Sequence, residues 1–403
     1  MKILSINAGS SSLKFTLFEL PKTDAIASGV FEKIGLEDSF YTIKYNGEKT
    51  RKEVYLKDHS IAVDCLMKDL IDMHIVSSLA EIEGVGHRIV HGGSEFTTPV
   101  ILTDEVIERI SKYNELGPLH NPANLLGVKA FMNALPGVVN VGVFDTGFHQ
   151  TMDEEHFLYP VPYEWYTKYG VRKYGFHGTS HRFVYKQICE KLNNEKLKVI
   201  TCHIGNGASL CAIDEGKVVD TSMGFTPVAG VMMGTRCGDI DSGILEYVCN
   251  KTGKTISEVT NDLNKKSGFL GISGISSDAR DVENAAMEGN KMAILAENMY
   301  AQKIANYIIE LYENNGRVDQ NLLISLFDQE DDNQVNVLRN KVIELLMEKH
   351  HPPFSIQLME DCKNALRNEQ SKYKSRIELE SALKGKDPKE QARLLDEYLK
   401  AKN

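Results

Sequence analysis

The sequence predicts an α/β protein built from two related halves, followed by a charged helical segment. Three observations carry this. Short strand-like runs alternate with helical ones and glycine turns over residues 1–311. A strand, a tight polar turn and a second strand occur twice, as ILSINAG running into SSSL at 3–13 and as VITCHIG running into NGASL at 199–210. Glycine then becomes scarce: 29 of the 31 glycines precede residue 316.

These observations divide the chain into an N-terminal α/β domain over 1–150, a second α/β domain over 151–311, and a mainly helical segment over 312–403. In the last segment 35% of residues are charged, against 23% before it. Val335, Leu338, Val342, Leu345 and Leu346 recur near a 3.6 period, and 356–383 and 388–400 are rich in helix formers, with Pro352-Pro353 as a breaker. Each repeated hairpin presents a turn of Gly, Ser, Asn and Ala, and the two could face one cleft.

With 403 residues, 42% of them hydrophobic, the chain can bury real cores and is no disulfide scaffold. A net charge of -10 without a basic patch argues against nucleic acid. Seven cysteines, an odd number with no C-x-x-C, fit reduced thiols, and no zinc spacing is present. The N-terminal apolar run is too short for a signal sequence, and no 18-residue apolar stretch follows. The expectation is a soluble cytoplasmic protein with neither membrane nor nucleic acid as a partner.

Uncovered backbone N–H groups in each hairpin turn can meet an anion, and Lys14 adds a charge just past the first. Neither a Walker A loop nor a G-x-G-x-x-G fingerprint is present: Val248 and Ile89 stand where glycines belong. Arg88, in HRIVHGG, could grip a carboxylate or phosphate in bidentate fashion, or be merely solvated. Arg236 lies in MMGTRCGDID, too apolar at its start for an ordinary surface loop. Two such arginines would offset the repulsion between a phosphoryl donor and an anionic acceptor. Asp145 follows the β-branched run 138–144, at a strand's carboxyl end where ligands collect; its alternative role is capping the next loop. His177 and His181 stand four apart but lack a third metal ligand, and Ser180 reads as a helix cap.

Together SINAGSSSLKF, HRIVHGG, GPLHNPANL, FDTGFHQTM, RKYGFHGTSH, HIGNGASL, DTSMGFTP with MMGTRCGDID, and SSDARDVE resemble the acetate kinases in order and spacing. The resemblance implies the duplicated acetate and sugar kinase, Hsp70 and actin superfold, with an RNase H-like core in each half. It implies ATP-dependent phosphorylation of acetate to acetyl phosphate, with magnesium (or manganese) as cofactor, ATP and ADP as co-substrates, and a homodimer. Residue by residue, it places Asn7 at the metal, and Ser10, Ser12, Lys14, His203, Ile204, Gly205, Asn206 and Gly207 on nucleotide phosphates. Asp278, Ala279 and Arg280 fall near the nucleoside. Arg88 matches the acetate-carboxylate ligand, Asp145 and His120 match active-site positions, and His177 and Arg236 match the groups that hold the phosphoryl in flight. Val90, Leu119, Phe176 and Pro227 match the pocket for the methyl group. Acetate is already a carboxylate at neutral pH, so direct in-line transfer needs no strong base, and Asp145 would orient.

The likeness fades near residue 311. The family's glycine-rich adenosine turn, of the form F-T-A-G-I-G-E-N, and its late magnesium glutamate have no counterpart here. The strand-like run 321–327 leads instead into the acidic, glycine-free 328–333. A rebuilt kinase, a weak one, or a kinase front joined to an unrelated helical segment would each account for this, and the abrupt change favours the third. The alternatives to acetate kinase activity are an impaired or chimeric relative acting as a binding module, a propionate-type carboxylate kinase, and, ranked lower, a sugar or glycerol kinase.

Overall fold

The structure, a computed structural model, describes residues 1–22, 24–118 and 120–315, together with Val342 and Leu345. The expected run 321–327, the adjacent acidic stretch and the helices over 356–383 and 388–400 lie outside the described residues.

Residues 1–150 hold a mixed sheet. It contains β1 (Lys2–Ala8), β2 (Ser12–Glu19), β3 (Ala25–Glu32), β4 (Phe40–Tyr45), β5 (Glu48–Glu53), β6 (Ile82–Ile89), β7 (Val100–Ile101) and β8 (Val139–Phe144). Their order is β5-β4-β3-β2-β1-β6-β8-β7. The first five form an antiparallel meander, β1, β6 and β8 run parallel, and β7 closes the edge antiparallel to β8. Alternation sets the faces: Leu4, Ile6 and Ala8 of β1 meet Leu13, Phe15 and Leu17 of β2 in burial. Helix His59–Asp72 covers this face, N-capped by Asp58, and buries Ala62, Val63, Leu66 and Leu70 at helical spacing. Helix Asn121–Ala134, with a proline in its first turn, packs beside it.

The second sheet is antiparallel throughout, with order β11-β10-β9 for β9 (Lys198–Ile204), β10 (Ala208–Asp214) and β11 (Lys217–Thr221). Both repeated hairpins of the sequence are therefore real, β1-β2 pairing Ala8 with Leu13 and β9-β10 pairing Ile204 with Ala208. Helix Lys291–Asn315 lies against this sheet through Ala293, Ala296, Tyr300, Ala301, Ile304, Ala305 and Ile308. Its alanines allow close approach. The composition change at 311 falls inside this helix, and the helical Val342 is buried in the same core, with Leu345 packed against it.

One local expectation is corrected. Helix Gly178–Leu192 begins after His177, which makes no side-chain cap bond. The Ser180 hydroxyl lies instead 2.9 Å from His203 Nδ1, a partner from β9 that sequence-local reasoning could not supply.

Candidate active site

The carboxyl ends of β1, β6 and β8 meet the β9-β10 turn around a cavity of about 200 Å3. Asn7, Ala8 and Gly9 come from the end of β1 and its turn, Arg88 and Val90 from β6, and His120 and Asn124 from the start of helix Asn121–Ala134. Asp145 follows β8, Phe176 and His177 precede helix Gly178–Leu192, Gly207 sits in the β9-β10 turn, and Pro227 and Arg236 lie in the loop after β11.

Arg88 and Asp145 are paired. Arg88 Nε donates to Asp145 Oδ1 at 2.9 Å, and Nη2 donates to Oδ2 at 2.5 Å, a bidentate fork on a carboxylate that is 2% exposed. The register of parallel β6 and β8, which sets Ile89 beside Phe144, brings them together. Asp145 raises the Arg88 pKa further. Arg236 differs. Its contacts within the described residues are long, 3.4 Å to the Pro227 carbonyl and 3.9 Å to Met233 Sδ, and no ion pair engages it there. Burial, then Arg88, lowers its pKa. A largely desolvated guanidinium that no carboxylate engages among the described residues, beside another guanidinium, has the chemistry to receive an anion.

Glycine brings the two sides of the cavity close. A methyl group at Gly207 would lie 3.2 Å from Arg236 Nη1 and 3.6 Å from His177 Nε2. His177 adopts left-handed backbone geometry (φ 59°), a conformation uncommon outside glycine. Its ring stacks on His203 with centroids 4.1 Å apart. Burial first, then His203 and the two arginines, depress its pKa to about 2, so the imidazole is neutral. His120 is also held below its usual value, by burial and then by Arg236 and Arg88.

Of the residues expected from sequence, Asn7, Arg88, Val90, His120, Asp145, Phe176, His177, Gly207, Pro227 and Arg236 line this one cavity. Leu119 lies outside the described residues. Lys14 is exposed on β2 opposite Asn7. Ser10 lies in the first hairpin turn and Ser12 opens β2 beyond it, where Gly9 N–H donates to the Ser12 carbonyl, and His203, Ile204, Gly205 and Asn206 rim the second. Asp278, Ala279 and Arg280 do not line the cavity. Asp278 caps helix Ala279–Met287 and forks onto Arg280 at the surface. They adjoin the second hairpin through Gly234, whose added methyl would strike Asn206 Oδ1 and the Ser277 carbonyl.

Asn124 escaped the sequence reading, although it lies within GPLHNPANL. Its Oδ1 accepts from Val90 N–H at 3.0 Å and its Nδ2 donates to the Ala8 carbonyl at 2.6 Å, tying β1 to the segment after β6. Gly178 is a second silent contributor. Its N–H donates to the Asp145 carbonyl at 2.9 Å, and an added methyl would come within 2.4 Å of that oxygen. Gly178→Ala must therefore push the helix that follows His177 away from Asp145. We expect a loss of ~1–3 kcal/mol in urea unfolding together with lower activity; an unchanged unfolding midpoint would contradict this close approach.

The sequence model of the Acetokinase family matches residues 2–328. The chain belongs to the acetokinase family. It is 56% identical over 309 residues to the acetate kinase of Geobacillus sp. (strain WCH70), covering 76% of this chain and 78% of that one. Among solved structures, the acetate kinase of Porphyromonas gingivalis matches with TM-score 0.78 and 44% identity over 86% of this chain and 88% of that one. A propionate kinase from Francisella tularensis matches with TM-score 0.80 and 33% identity over 90% and 91%. The duplicated kinase superfold is thus shown, and this chain is a phosphotransferase of the acetokinase family. No described helix is long and apolar enough to cross a membrane.

Buried histidines give this acetokinase a defined acid sensitivity. Burial depresses His87, His91 and His149 from 6.5 to about 4. Each stays neutral when folded and binds a proton when unfolded, so the stability they support is complete above pH 6.5 and is lost as pH falls towards 4. Each contributes up to ~1.4 kcal/mol per pH unit across that window. Urea midpoints at pH 7.5 and 5.5 test this, and a flat profile would mean that these rings take up protons in the fold.

Proposed function

We propose that this chain transfers the γ-phosphoryl group of ATP to acetate, forming acetyl phosphate and ADP. One observation carries the reading. A single small cavity holds a guanidinium forked onto a carboxylate, a second guanidinium free of ion pairs among the described residues, a neutral histidine and an apolar wall of Val90, Phe176 and Pro227. That set suits a short carboxylate whose apolar end packs on the wall.

In the reaction an acetate oxygen attacks the γ-phosphorus while the bond to the ADP oxygen breaks, and no proton need be removed from the nucleophile. Arg88 would bind the acetate carboxylate, with Asp145 fixing the plane of its guanidinium. Arg236 and His177, which both lie against the Gly207 turn, would face the equatorial oxygens of the moving phosphoryl. Ser10, Ser12, Lys14 and the His203–Gly207 turn would hold the nucleotide phosphates, and Asp278–Arg280 the nucleoside. On this reading residues 1–150 form the carboxylate side and 151–311 the nucleotide side.

Magnesium is part of the proposal. Among the described residues no three His, Cys, Asp or Glu side chains cluster as a metal cage, but magnesium is ordinarily held by one or two protein oxygens with the substrate phosphates and water. Asn7, which lines the cavity, fits that role through its carboxamide oxygen, and manganese would be accepted by the same hard oxygen donor. The metal would neutralise phosphate charge. A homodimer in the cytoplasm, with no membrane or nucleic-acid partner, completes the proposal.

The test is titration calorimetry with ATP and magnesium, followed by hydroxamate trapping of acetyl phosphate, with propionate in parallel. Acetyl hydroxamate supports the reading. Nucleotide binding without product would favour a binding module instead, and a clear preference for propionate would reassign the substrate, since one methylene is worth about 10- to 200-fold.

A further inference from the structure

Behind His177 runs a chain of buried polar groups that the proposed reaction does not itself require. His177 Nδ1 lies 2.8 Å from Ser209 Oγ, Ser209 Oγ lies 2.8 Å from His181 Nε2, and His181 Nδ1 lies 2.7 Å from Thr201 Oγ1. Ser209, His181 and Thr201 are at most 1% exposed, so no bulk water completes their hydrogen bonding. Ser209 and Thr201 project from neighbouring strands β10 and β9, and His181 sits one turn beyond His177 on helix Gly178–Leu192.

Proton counting leaves two arrangements. A serine hydroxyl has one proton and must serve two imidazole nitrogens, so it donates to one and accepts from the other. If Ser209 donates to His181 Nε2, then His181 carries its proton on Nδ1, which donates to Thr201, and the Thr201 hydroxyl is left with the Cys211 carbonyl at 3.5 Å. That contact is too long to be a good O–H···O bond. If Thr201 donates to His181 Nδ1, every link is 2.7–2.8 Å: His181 Nε2–H donates to Ser209, and Ser209 O–H donates to His177 Nδ1. His177 must then carry its proton on Nε2, the nitrogen that faces the Gly207 turn and the cavity.

We propose that Thr201, His181 and Ser209 form a one-way hydrogen-bond chain that fixes His177 as the neutral Nε2–H tautomer, making Ser209 a positioning residue for the anion in the cavity. The tautomer follows from which partner occupies Nδ1. A neutral donor suits this site. Two guanidinium groups already supply positive charge there, and a third cation would be repelled by both, whereas an N–H aimed at an oxyanion adds a hydrogen bond without that cost. The benefit to phosphoryl transfer rests on the kinase reading, but the tautomer itself does not.

The experiment is a long-range 1H–15N correlation spectrum of the full chain labelled with 15N-histidine, at pH 7.5 and without substrate. The His177 signals are assigned by their loss in His177→Asn, because asparagine tolerates left-handed backbone. We expect the wild-type ring to show the Nε2–H pattern, Ser209→Ala to give a mixture with Nδ1–H, and Ser209→Thr to restore the wild-type pattern. Thr201→Val, which offers His181 Nδ1 neither donor nor acceptor, should remove the bias and leave both histidines as tautomer mixtures. In the kinase assay Ser209→Ala should lower kcat by about 10-fold with little change in the acetate KM, a fraction of the loss a mis-set tautomer causes in a histidine-based triad, and Ser209→Thr should recover it. An Nδ1–H ring in the wild type overturns the proposal even if Ser209→Ala does not fold, as does an unchanged tautomer in folded Ser209→Ala. A wild-type protein with the Nε2–H ring but no kinase activity would overturn the kinase reading and leave the chain of hydrogen bonds standing.

Discussion

Arg236→Ala should lower turnover by ~10^2-fold or more while leaving the unfolding midpoint within about 1 kcal/mol of the parent. The separation of the two effects is the informative part. Within the described residues Arg236 makes only long contacts with neutral groups, 3.4 Å to a carbonyl and 3.9 Å to a thioether, so its removal orphans no carboxylate there. Burial and Arg88 both work against its charge, and relieving that stress offsets the loss of packing. In the proposed reaction the same guanidinium meets charge that spreads over the equatorial phosphoryl oxygens, where desolvation strengthens its effect. Arg236→Lys should recover little, because a point charge does not reproduce a planar fork. Steady-state rates of hydroxamate formation beside urea unfolding curves decide the matter: near-normal turnover in a folded Arg236→Ala protein would remove this residue from the site.

Arg88→Ala should fail in the opposite way, losing stability as well as activity. Its partner Asp145 is 2% exposed and accepts from both Nε and Nη2, whereas the Arg88 side chain itself is 37% exposed. Truncation leaves a carboxylate in the wall of a small cavity with its cation gone, a change that costs about 3–5 kcal/mol for fully buried pairs. Water can enter beside Arg88, so about 3 kcal/mol is expected here. The double variant Arg88→Ala with Asp145→Ala should regain part of that loss while remaining inactive. A single variant as stable as the parent would show that Asp145 finds another partner or takes up a proton. In the kinase assay Arg88→Ala should raise the acetate KM more steeply than that of ATP, since Arg88 is assigned to the carboxylate.

These predictions rest on residues of two kinds. Arg88, Asp145, His177 and Arg236 were legible in the sequence because their chemistry is unusual in its setting: charged or titratable groups beside glycines, at the ends of apolar runs. The two hairpins were legible for a related reason, since β-branched runs ending in small polar turns leave the backbone few choices. Asn124, Ser209 and Thr201 were not. An asparagine at the start of a helix and hydroxyls within strands are common, and nothing in their spacing reveals that each bridges two elements. Asp278–Arg280 were equally distinctive in the sequence; they lie outside the cavity wall, where the Asp278 carboxylate caps a helix and accepts from Arg280.

By itself the sequence determined the fold class, the two hairpins and the set of charged groups available to a reaction, because periodicity and turn chemistry are local properties of the chain. Only the tertiary structure decided which of those groups meet. Arg88 reaches Asp145 across 57 residues, and His177 reaches Ser209 across 32. Those meetings are set by strand register and by glycines such as Gly178, where no methyl group keeps a helix from a strand end. Hydrogen bonding is short-ranged and directional, so whether a guanidinium is paired or a ring nitrogen is occupied depends on ångström-scale placement that no local pattern encodes.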